Sequence, residues 1–544
     1  RFQKHTARLA IVRRAFFIPP RAPRSCVSSG TGFYSATGHM SDTVQIELLP
    51  LGRTFAVNRD APLQDFLFAH GVEFPCGGRG RCKGCKVRLL AGDLPISPEE
   101  RARLTPAELA GGWRLACRAR ATGDLRLELA QWETAVLGDD SAFTFTPQEG
   151  LGIAVDLGTT TLVGQLLDLR SGRVLAIQTA LNGQARFGAD FMSRIDRAIT
   201  GPEGQAQLQQ TIREQVGHLG AQLLASAQAA PDALRHVVLV GNTVIHHLFC
   251  GLSVEPLARV PFESPTPGAR RLSAGDLGWA LPRAVPVHFL PCLGGFVGSD
   301  LLAGILATRL HESEALTALV DLGTNGEIIL GNRERILCAS TAAGPAFEGA
   351  RISVGMRAAT GAISAIRIEK GALRCHVLGN VQPRGICGSG LVDAAACALD
   401  LGWMKPNGRL HHRAALRLRA PVQLIQEDIR ELQLAKGAIA AGLRILLRQW
   451  GATSADLARV HLAGAFGNYI NWDSARRIGL LDVPTEKVHP AGNTALLGAK
   501  LALFHLAEEG ADYADLLRKV RHIPLHEDPE FHETFVDCMG FPAN

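Results

Sequence analysis

The sequence of 544 residues lacks the features that would assign it to several large classes of protein. No uncharged apolar run reaches about 18 residues, so we expect no membrane-spanning helix. No charge of one sign dominates outside the first residues: positions 1–39 hold seven of the 57 Lys and Arg and no acid, which leaves 50 basic residues against 51 acidic ones. This near-neutral remainder gives no general reason to expect nucleic-acid binding.

Two common motifs are also missing. No GxxxxGK[ST] segment occurs, which excludes ATP binding by a Walker A loop. A single CxxC pair is present, whereas zinc ribbons usually carry two separated pairs. The chain is 47% apolar and 20% charged, so it can bury large cores, and its length indicates several domains.

Residues 1–40 form a basic leader that we exclude from the fold. Its Arg-rich, acid-free composition with several serines is typical of a transit peptide. Met40 is the first methionine and a strand-like pattern begins directly after it, so we favour a disordered or non-native upstream extension instead. The chain length, the clustered cysteines and the lack of a signal peptide favour a reducing compartment, and we expect a cytoplasmic protein.

Four of the 12 cysteines lie within residues 76–117, spaced C-x5-C-x2-C-x31-C. Plant-type [2Fe–2S] ferredoxins use C-x4-C-x2-C with a distant fourth cysteine, and one extra loop residue resembles the adrenodoxin-like pattern. Interspersed glycines allow backbone amides to approach the sulfurs. Residues 42–130 predict two strands, a helix, this loop and later strands, a β-grasp-like α+β unit. We therefore favour a [2Fe–2S] cluster over zinc, with Cys76, Cys82, Cys85 and Cys117 as ligands.

Four basic residues surround the cysteine loop. The basic residues around the cysteine loop either dock an acidic electron donor or keep an exposed loop solvated, and the sequence leaves both open. These residues are Arg79, Arg81, Lys83 and Lys86.

For His246, His247, Cys292 and Cys387, which have no paired ligands nearby, we favour structural roles in packing.

Residues 151–169 and 317–331 repeat one pattern, an apolar strand, Asp-Leu-Gly-Thr and a second strand. Such a turn presents backbone amides to a phosphate, Thr adds a hydroxyl donor, and Asp holds Mg²⁺, usually through waters. Two copies predict two lobes that clamp phosphate groups from opposite sides. The predicted ligands are Asp156, Gly158, Thr159 and Thr160 in the first copy and Asp321, Gly323, Thr324 and Asn325 in the second.

Two further predictions concern the same site. Glu327 either orients the water that attacks the phosphate or is an ordinary acid on a strand face. Gly388, Ser389 and Gly390 either bring a helix N-terminus toward the nucleotide or allow close helix packing.

The repeated loops resemble those of the superfamily of acetate and sugar kinases, heat-shock chaperones and actin. The segment HLAGAFGNYI (461–470) is similar to its adenosine motif, where Gly464, Ala465, Phe466 and Gly467 would let the backbone pass the nucleoside. The expected architecture is an α+β β-grasp ferredoxin-like domain followed by a two-lobed α/β actin-like (ribonuclease H-like) ATPase domain. The expected bounds are 41–130 for the ferredoxin-type domain, 131–150 for a linker, and about 151–316 and 317–544 for the lobes.

A plant-type ferredoxin domain fused to this ATPase resembles the reductive activators of corrinoid proteins. The similar segments are 182–195, 239–252, 344–363, 384–396 and 432–442. The resemblance implies an ATP-dependent one-electron reductase with a low-potential electron donor. Its partner would be a corrinoid protein of a methyltransferase system, whose cobalt it returns from Co(II) to the methyl-accepting Co(I) state.

Two other functions stay open at this point. The ATPase could be a small-molecule kinase regulated by its ferredoxin domain, or a degenerate scaffold for a plain electron carrier, although intact Asp156 and Asp321 argue against the second. Some family members carry an additional domain, associated with dimer contacts, where this chain has only residues 131–150. The lack of that domain argues against the dimer contacts of those members, so a homodimer is one possibility and the oligomeric state stays open.

Overall fold

The computed structural model describes residues 42–49, 53–68, 85–129, 145–188, 190–323, 325–344, 346–349, 351–356, 358, 361–464, 470–506 and 513–543. Among the helices it describes, none combines the length and apolar composition that crossing a membrane requires. The strands are β1 (Thr43–Leu49), β2 (Arg53–Asn58), β3 (Lys86–Ala91), β4 (Trp113–Leu115), β5 (Leu125–Leu129), β6 (Leu151–Leu157), β7 (Thr161–Asp168), β8 (Val174–Leu181), β9 (Leu234–Gly241), β10 (Arg270–Ser273), β11 (Pro286–Phe289), β12 (Thr317–Leu322), β13 (Gly326–Gly331), β14 (Ile336–Thr341), β15 (Ala362–Glu369), β16 (Ala372–Val377), β17 (Gly385–Ile386), β18 (Leu416–Arg417), β19 (Gln423–Leu424), β20 (Arg459–Ala463), β21 (Val488–Gly492) and β22 (Val520–His522). The helices are α1 (Leu63–Phe68), α2 (Pro98–Arg103), α3 (Pro106–Ala110), α4 (Phe191–Thr200), α5 (Pro202–Ser226), α6 (Thr243–Cys250), α7 (Glu255–Ala258), α8 (Ser299–Thr308), α9 (Gly388–Asp400), α10 (Gln426–Trp450), α11 (Trp472–Arg477), α12 (Thr494–His505), α13 (Ala514–Lys519) and α14 (Phe531–Met539).

The first sheet has the β-grasp arrangement expected from the sequence. Its strand order is β2-β1-β5-β3-β4, with β1 antiparallel to β2 and parallel to β5. Alternate residues of β1 are buried, because successive side chains of a strand point to opposite faces of the sheet. Leu63 and Leu67 of α1 join the same apolar core. The ferredoxin-type fold is thereby confirmed over the described residues of this unit.

The chain around Cys117 differs in part from the sequence-based expectation. The segment WRLACRARATGDLRLEL (113–129) predicts two strands around the turn at residues 122–124. Both strands are present, but β4 has only three residues and ends at Leu115. A single 3₁₀ turn, Ala116–Arg118, follows and carries Cys117. The N–H of Ala116 donates to the carbonyl oxygen of Cys85 at 2.9 Å, beyond the end of the β3–β4 ladder. This tertiary contact, which the local pattern does not encode, places Cys85 and Cys117 at the same end of the strand pair.

The two large sheets repeat one strand order, as the repeated sequence pattern predicts. The first lobe contains β8-β7-β6-β9-β11 and the second contains β14-β13-β12-β20-β21. In each lobe three antiparallel strands are followed by two parallel ones, the ribonuclease H-like order. β10 extends the first sheet and β22 extends the second. The expected two-lobed actin-like fold is therefore confirmed.

Helices α8 and α12 pack against each other, and each comes from a different lobe. A Cβ on Gly498 of α12 would overlap the backbone of Ala303 in α8, so the two helices touch backbone to backbone. Helix α12 also reaches the first sheet, where a Cβ on Gly152 would lie 3.1 Å from Leu503. Helix α8 begins directly after Gly298, where a Cβ would overlap the backbone that follows β9. The start of α8 is thereby fixed beside the end of β9.

We expect Glu100 to hold the chain that leads to Cys117. Its buried carboxylate accepts the N–H of Ser97 at 2.6 Å and the N–H of Leu115 at 2.7 Å. Replacing Glu100 by Ala leaves both donors without this acceptor, and we expect a loss of about 3 kcal/mol of local stability. Hydrogen exchange of peptides within residues 85–129 measures this loss.

Glu99 provides the matched control for this experiment. Its carboxylate pairs with Arg118 at 2.6 Å near the surface, with 36% of the Glu99 side chain exposed. Glu99→Ala should therefore change local stability by less than about 1 kcal/mol. Equal loss of protection in the two variants would show that Glu100 has no special anchoring role.

Candidate functional site

The first repeated loop joins β6 to β7 and contains Gly158, Thr159 and Thr160. The N–H of Gly158 donates to the carbonyl of Thr161 at 3.0 Å, which closes a tight turn. Asp156 is the penultimate residue of β6, directly before this turn. The loop thus has the strand-turn-strand geometry that the sequence predicts.

The segment between β8 and α4 supports this loop. Asn182 donates through its side-chain amide to the carbonyl of Gly158 at 2.9 Å and through its backbone N–H to that of Thr160 at 2.9 Å. The guanidinium of Arg194, which has no exposed surface, donates to the carbonyl of Thr159 at 2.5 Å. Burial lowers the pKa of Arg194 to about 10, so it stays charged at neutral pH. The carbonyls of three successive loop residues are therefore held in place.

The second repeated loop joins β12 to β13. The N–H of Gly323 donates to the carbonyl of Asn325 at 3.1 Å, and Thr324 lies outside the described residues. Asp321 on β12 stands directly opposite Glu327 on β13 in the antiparallel register. Cross-strand neighbours of this kind lie on the same face of the sheet, so two acidic side chains are neighbours here.

Four carboxyl groups, from Asp156, Asp300, Asp321 and Glu327, interact as one acid cluster between the lobes. Burial, followed by repulsion from neighbouring carboxylates, raises the pKa of Asp300 and of Asp321 to about 7. Burial raises the pKa of Asp156 to about 6. Burial, together with repulsion from Asp300 and Asp321, also raises the pKa of Glu327 well above its ordinary value. Glu327 is buried, whereas the three aspartates keep some surface open to solvent. The acid cluster therefore lines a cleft.

Asp300 was not singled out by the sequence analysis. It lies in the first turn of α8, where acidic residues are common because they complement the helix dipole. Its sequence context, an acid before an apolar run, is therefore that of an ordinary helix start. Only the packing of α8 brings it to Asp156 and Asp321.

Asn493 is a second residue that sequence reasoning missed. As the N-cap of α12, it accepts the N–H of Leu496 at 2.8 Å, and its amide donates to Asp156 at 3.0 Å. This hydrogen bond favours the ionised form of Asp156, so it limits the rise in the pKa of that carboxyl. An Asn followed by a helical pattern signals a cap, but its contact with the first lobe has no local sequence signal.

The acid cluster suits a hydrated divalent cation. In the part of the chain that the structure describes, no three His, Cys, Asp or Glu side chains are close enough to hold a metal ion by themselves. Mg²⁺ usually keeps several of its waters and takes few protein oxygens, so it does not need such a cage. A cation at this position would also offset the mutual repulsion of the carboxylates. An all-oxygen set of mutually repelling donors therefore fits Mg²⁺ held largely through water.

Gly464, the first glycine of the predicted adenosine motif, lies directly against Asp321. It follows the end of β20 and has a φ of +81°, a conformation that other residues rarely adopt. A Cβ at this position would lie 2.7 Å from Oδ1 of Asp321. Ala465, Phe466 and Gly467 lie outside the described residues.

Gly388, Ser389 and Gly390 do not precede the helix but form its first turn. The hydroxyl of Ser389 donates to the carbonyl of Ser364 at 2.8 Å. A Cβ on Gly390 would overlap the carbonyl of Ile363, so α9 packs closely on β15. Packing thus accounts for Ser389 and Gly390, and contact of these three residues with a nucleotide stays a prediction.

Two of the four predicted cluster ligands are described. Cys85 is buried and Cys117 is partly exposed. Their position at one end of the β3–β4 pair fits a cluster that a loop and a distant chain segment hold together. Cys76 and Cys82 lie outside the described residues.

Part of the basic rim around the cysteine loop is already occupied by internal contacts. Lys86 pairs with Glu108 at 3.1 Å and lies 5.1 Å from the ring centre of Trp113. Arg79, Arg81 and Lys83 lie outside the described residues. Lys86 therefore has a local structural role, which is neither of the two interpretations of this rim, and both stay open for the other three residues.

The histidines and the isolated cysteines occupy packing positions. His247 lies 2.7 Å from the carbonyl oxygen of Ser253 and 2.7 Å from a serine hydroxyl. His246 packs edge-on against Phe289, and burial lowers its pKa to about 3. Cys292 and Cys387 are also buried. These positions agree with the structural roles expected for the four residues.

Comparison with known proteins identifies relatives along almost the whole chain. Family models match residues 46–122 (2Fe-2S iron-sulfur cluster binding domain), 151–313 (RACo middle region) and 315–544 (C-terminal domain of RACo, the ASKHA domain). The chain is 37% identical over 421 residues to the corrinoid activation enzyme RamQ of Eubacterium limosum, covering 72% of this chain and 70% of that protein.

Two further relatives extend this comparison. The [Co(II) methylated amine-specific corrinoid protein] reductase of Methanosarcina barkeri is 28% identical over 387 residues, covering 64% of this chain and 69% of that protein. The solved structure of a reductive activator for corrinoid,iron-sulfur protein matches with a TM-score of 0.65 and 25% identity, covering 92% of this chain and 98% of that one. The sequence, the fold and the arrangement of its parts agree, and the chain belongs to the RACo family of reductive activators of corrinoid proteins.

Proposed function

We propose that this chain is an ATP-dependent reductase that passes one electron to a corrinoid protein and so converts its cobalt from Co(II) to Co(I). The observation that carries the proposal is the acid cluster, built from both lobes of an ATPase fold that is joined to a ferredoxin-type unit. The names of its relatives support the choice of a corrinoid protein as substrate. In this scheme residues 41–130 carry the electron and residues 151–544 bind ATP.

The nucleotide site follows from the two repeated loops. We propose that Asp156 and Asp321 hold Mg²⁺ through water, and that Glu327, whose pKa is raised, accepts a proton from the attacking water. Asp300 adds negative charge that strengthens cation binding. The phosphates would contact Gly158, Thr159, Thr160, Gly323, Thr324 and Asn325, and the nucleoside would contact Gly464, Ala465, Phe466 and Gly467.

The electron-transfer unit uses the four clustered cysteines. We propose that Cys76, Cys82, Cys85 and Cys117 hold a [2Fe–2S] cluster, which when bound supplies the one-electron carrier between a low-potential donor and the cobalt. The hydrogen bond from the N–H of Ala116 to the carbonyl of Cys85 fixes the chain beside Cys117. This contact keeps the Cys85 and Cys117 thiols at the same end of the strand pair.

A contact between the two parts offers a route for coupling. The guanidinium of Arg120, three residues after Cys117, donates to the carbonyl of Gly379 in the second lobe at 2.9 Å. At the cleft, Asn493 links α12 to Asp156 of the first lobe. A change of nucleotide that alters the contacts of Asp156 would therefore change how the lobes meet, which is the differential binding that a switch requires.

The central test removes the aspartates of the repeated loops. We expect Asp156→Asn and Asp321→Asn to lower ATP hydrolysis and ATP-dependent Co(I) formation by about 100-fold or more, because Mg²⁺ loses its charged partners. The assay mixes the cluster-loaded chain with dithionite, MgATP and candidate Co(II) corrinoid proteins, and follows the absorbance of Co(I). Reduction of the cluster by dithionite should not change.

Asp196→Asn, on the exposed side of α4, is the control and should keep the activity of the unmodified chain. Co(I) formation at the same rate without ATP would overturn the coupling. Phosphorylation of a small molecule without any electron donor would instead support a kinase.

The raised pKa values of the acid cluster predict a pH-dependent response to Mg²⁺. The folded-state pKa values of Asp156, Asp300 and Asp321, about 6, 7 and 7, lie above those of the unfolded chain. The native state therefore binds more protons between about pH 4 and 7, so stability without a cation falls as pH rises through that window. Mg²⁺ requires ionised carboxylates, so the stabilisation by MgADP should grow from pH 6 to pH 8.

Thermal unfolding with and without MgADP at pH 6, 7 and 8 measures this response, and we expect the gain in melting temperature to rise by several degrees. Asp300→Asn should flatten the pH dependence, whereas Asp196→Asn should leave it intact. A gain that is the same at every pH would contradict a cation bound by these carboxylates.

A pair of glycines tests whether Gly464 is part of the nucleotide site. Gly464→Ala introduces a Cβ 2.7 Å from Oδ1 of Asp321 at a φ of +81°, and we expect at least a tenfold loss of nucleotide affinity. Gly492→Ala has a similar φ of +68°, but nothing lies within 4 Å of the added Cβ. Both variants should lose about 1 kcal/mol through backbone strain alone.

Binding of a fluorescent ATP analogue separates the two effects. Only Gly464→Ala should weaken binding, because only its methyl group presses on Asp321. Equal affinities in the two variants would exclude Gly464 from the site.

A further inference from the structure

The segment that connects α9 to α10 has a strongly basic surface. Residues 401–425 contain five Lys or Arg, two His and no Asp or Glu, although the chain after its leader is close to neutral. All seven side chains belong to exposed residues. We call Lys405, Arg409, His411, His412, Arg413, Arg417 and Arg419 the basic segment.

Buried apolar side chains anchor the basic segment to the second lobe. Apolar residues alternate with the charged ones and are buried in the core of the second lobe: Met404, Leu410, Leu416, Val422 and Leu424. The N–H of Lys405 donates to the carbonyl of Arg409 at 2.9 Å, and β18 pairs with β19 beyond it. The guanidinium of Arg413 lies 3.9 Å from the ring centre of Trp403. The positive charges are therefore displayed on a preformed surface, which lowers the entropy cost of binding.

Among the residues that the structure describes, no acid of this lobe forms an ion pair with these charges. Within the described ranges, none of the five Lys and Arg side chains takes part in an ion pair. Of the three acids that flank the segment, Asp400 pairs with Arg477 at 2.6 Å and Asp428 accepts from Ser353 at 2.6 Å and 2.7 Å, which leaves the exposed Glu427 as the one negative charge beside five positive ones. A compact, uncompensated positive surface attracts a negatively charged partner and guides its approach.

The position of the basic segment relates it to the ferredoxin-type unit. The carbonyl of Ala420 accepts the side-chain amide of Gln382 at 3.0 Å. Gln382 follows Gly379, whose carbonyl accepts from Arg120, three residues after Cys117. A protein seated on the basic segment would therefore lie beside the unit that carries the cysteines.

We propose that the basic segment is the docking surface for an acidic electron-donor protein, which gives up one electron to the cysteine-bound centre of this chain and is itself oxidised by one electron. The segment lies on the second lobe alone, and α9, about 18 Å long by its 13 residues, separates it from Gly388. A surface on one lobe is not altered when the lobes move. This suits a donor that binds in every nucleotide state better than a corrinoid protein under nucleotide control.

The test measures binding of an acidic plant-type [2Fe–2S] ferredoxin to the full chain. The triple variant Lys405→Glu, Arg409→Glu and Arg417→Glu should weaken binding by about tenfold or more at low salt, and raised salt should reduce the difference. In stopped-flow experiments the reduced ferredoxin should transfer its electron correspondingly more slowly, whereas reduction by dithionite should be unchanged. The control variant makes the same charge change at exposed residues of the first lobe: Arg173→Glu, Arg271→Glu and Arg283→Glu.

Three results would overturn the proposal. Equal weakening by both triple variants would show only general attraction to positive charge. Slower Co(I) formation with unchanged ferredoxin binding would assign the surface to the corrinoid protein. Binding of a DNA duplex that displaces the ferredoxin at physiological salt would assign it to nucleic acid.

The proposal rests on the proposed function, but the two can fail separately. Ferredoxin binding is measured without ATP and without any corrinoid protein. Failure of the unmodified chain to form Co(I) would therefore overturn the proposed function, but the ferredoxin-binding measurement would still test the docking surface.

Discussion

The repulsion among four clustered carboxyl groups is the constraint on which the cleft between the lobes depends. Asp321 and Glu327 are forced together by strand register, and Asp156 and Asp300 approach them from the first lobe. Such an arrangement costs stability in the absence of a cation, because each charge is poorly hydrated and lies near others of the same sign. Natural chains keep such a cost where function requires it.

The residues around the acid cluster are arranged to tolerate this repulsion. Asn493 donates to Asp156, and Gly464 brings its backbone against Asp321 where any side chain would collide. Asn182 and Arg194 hold the first loop through its carbonyls and do not neutralise the acids. The lobes are consequently not equivalent, since the position opposite Asp156 in the first lobe is Val163, whereas Asp321 faces Glu327. At this one strand position, only the second lobe of the duplicated fold carries an acid.

Features encoded by short-range patterns could be predicted from the sequence, and features set by tertiary contacts could not. Residues 428–449 have a long and regular apolar period of the helical kind, and the helix that this pattern predicts is observed as Gln426–Trp450. The repeated Asp-Leu-Gly-Thr pattern located Asp156 and Asp321. Asp300 and Asn493 could not be predicted as site residues, because each has the sequence context of an ordinary helix start. Each reaches the acid cluster only through packing across the cleft. The early end of β4 has the same explanation.

The backbone contact between Gly498 and Ala303 has a mechanical consequence. Helices that meet backbone to backbone have no side chain between them that could yield, so this contact is a natural fulcrum for a rotation of one lobe against the other. Asp300 lies three residues from Ala303, less than one helical turn, so the acid cluster sits almost at the fulcrum. Displacements there remain small, while the far edges of both lobes move through longer arcs. Arms of this length would magnify a change the size of one phosphate at the cleft into a movement that a protein partner can sense.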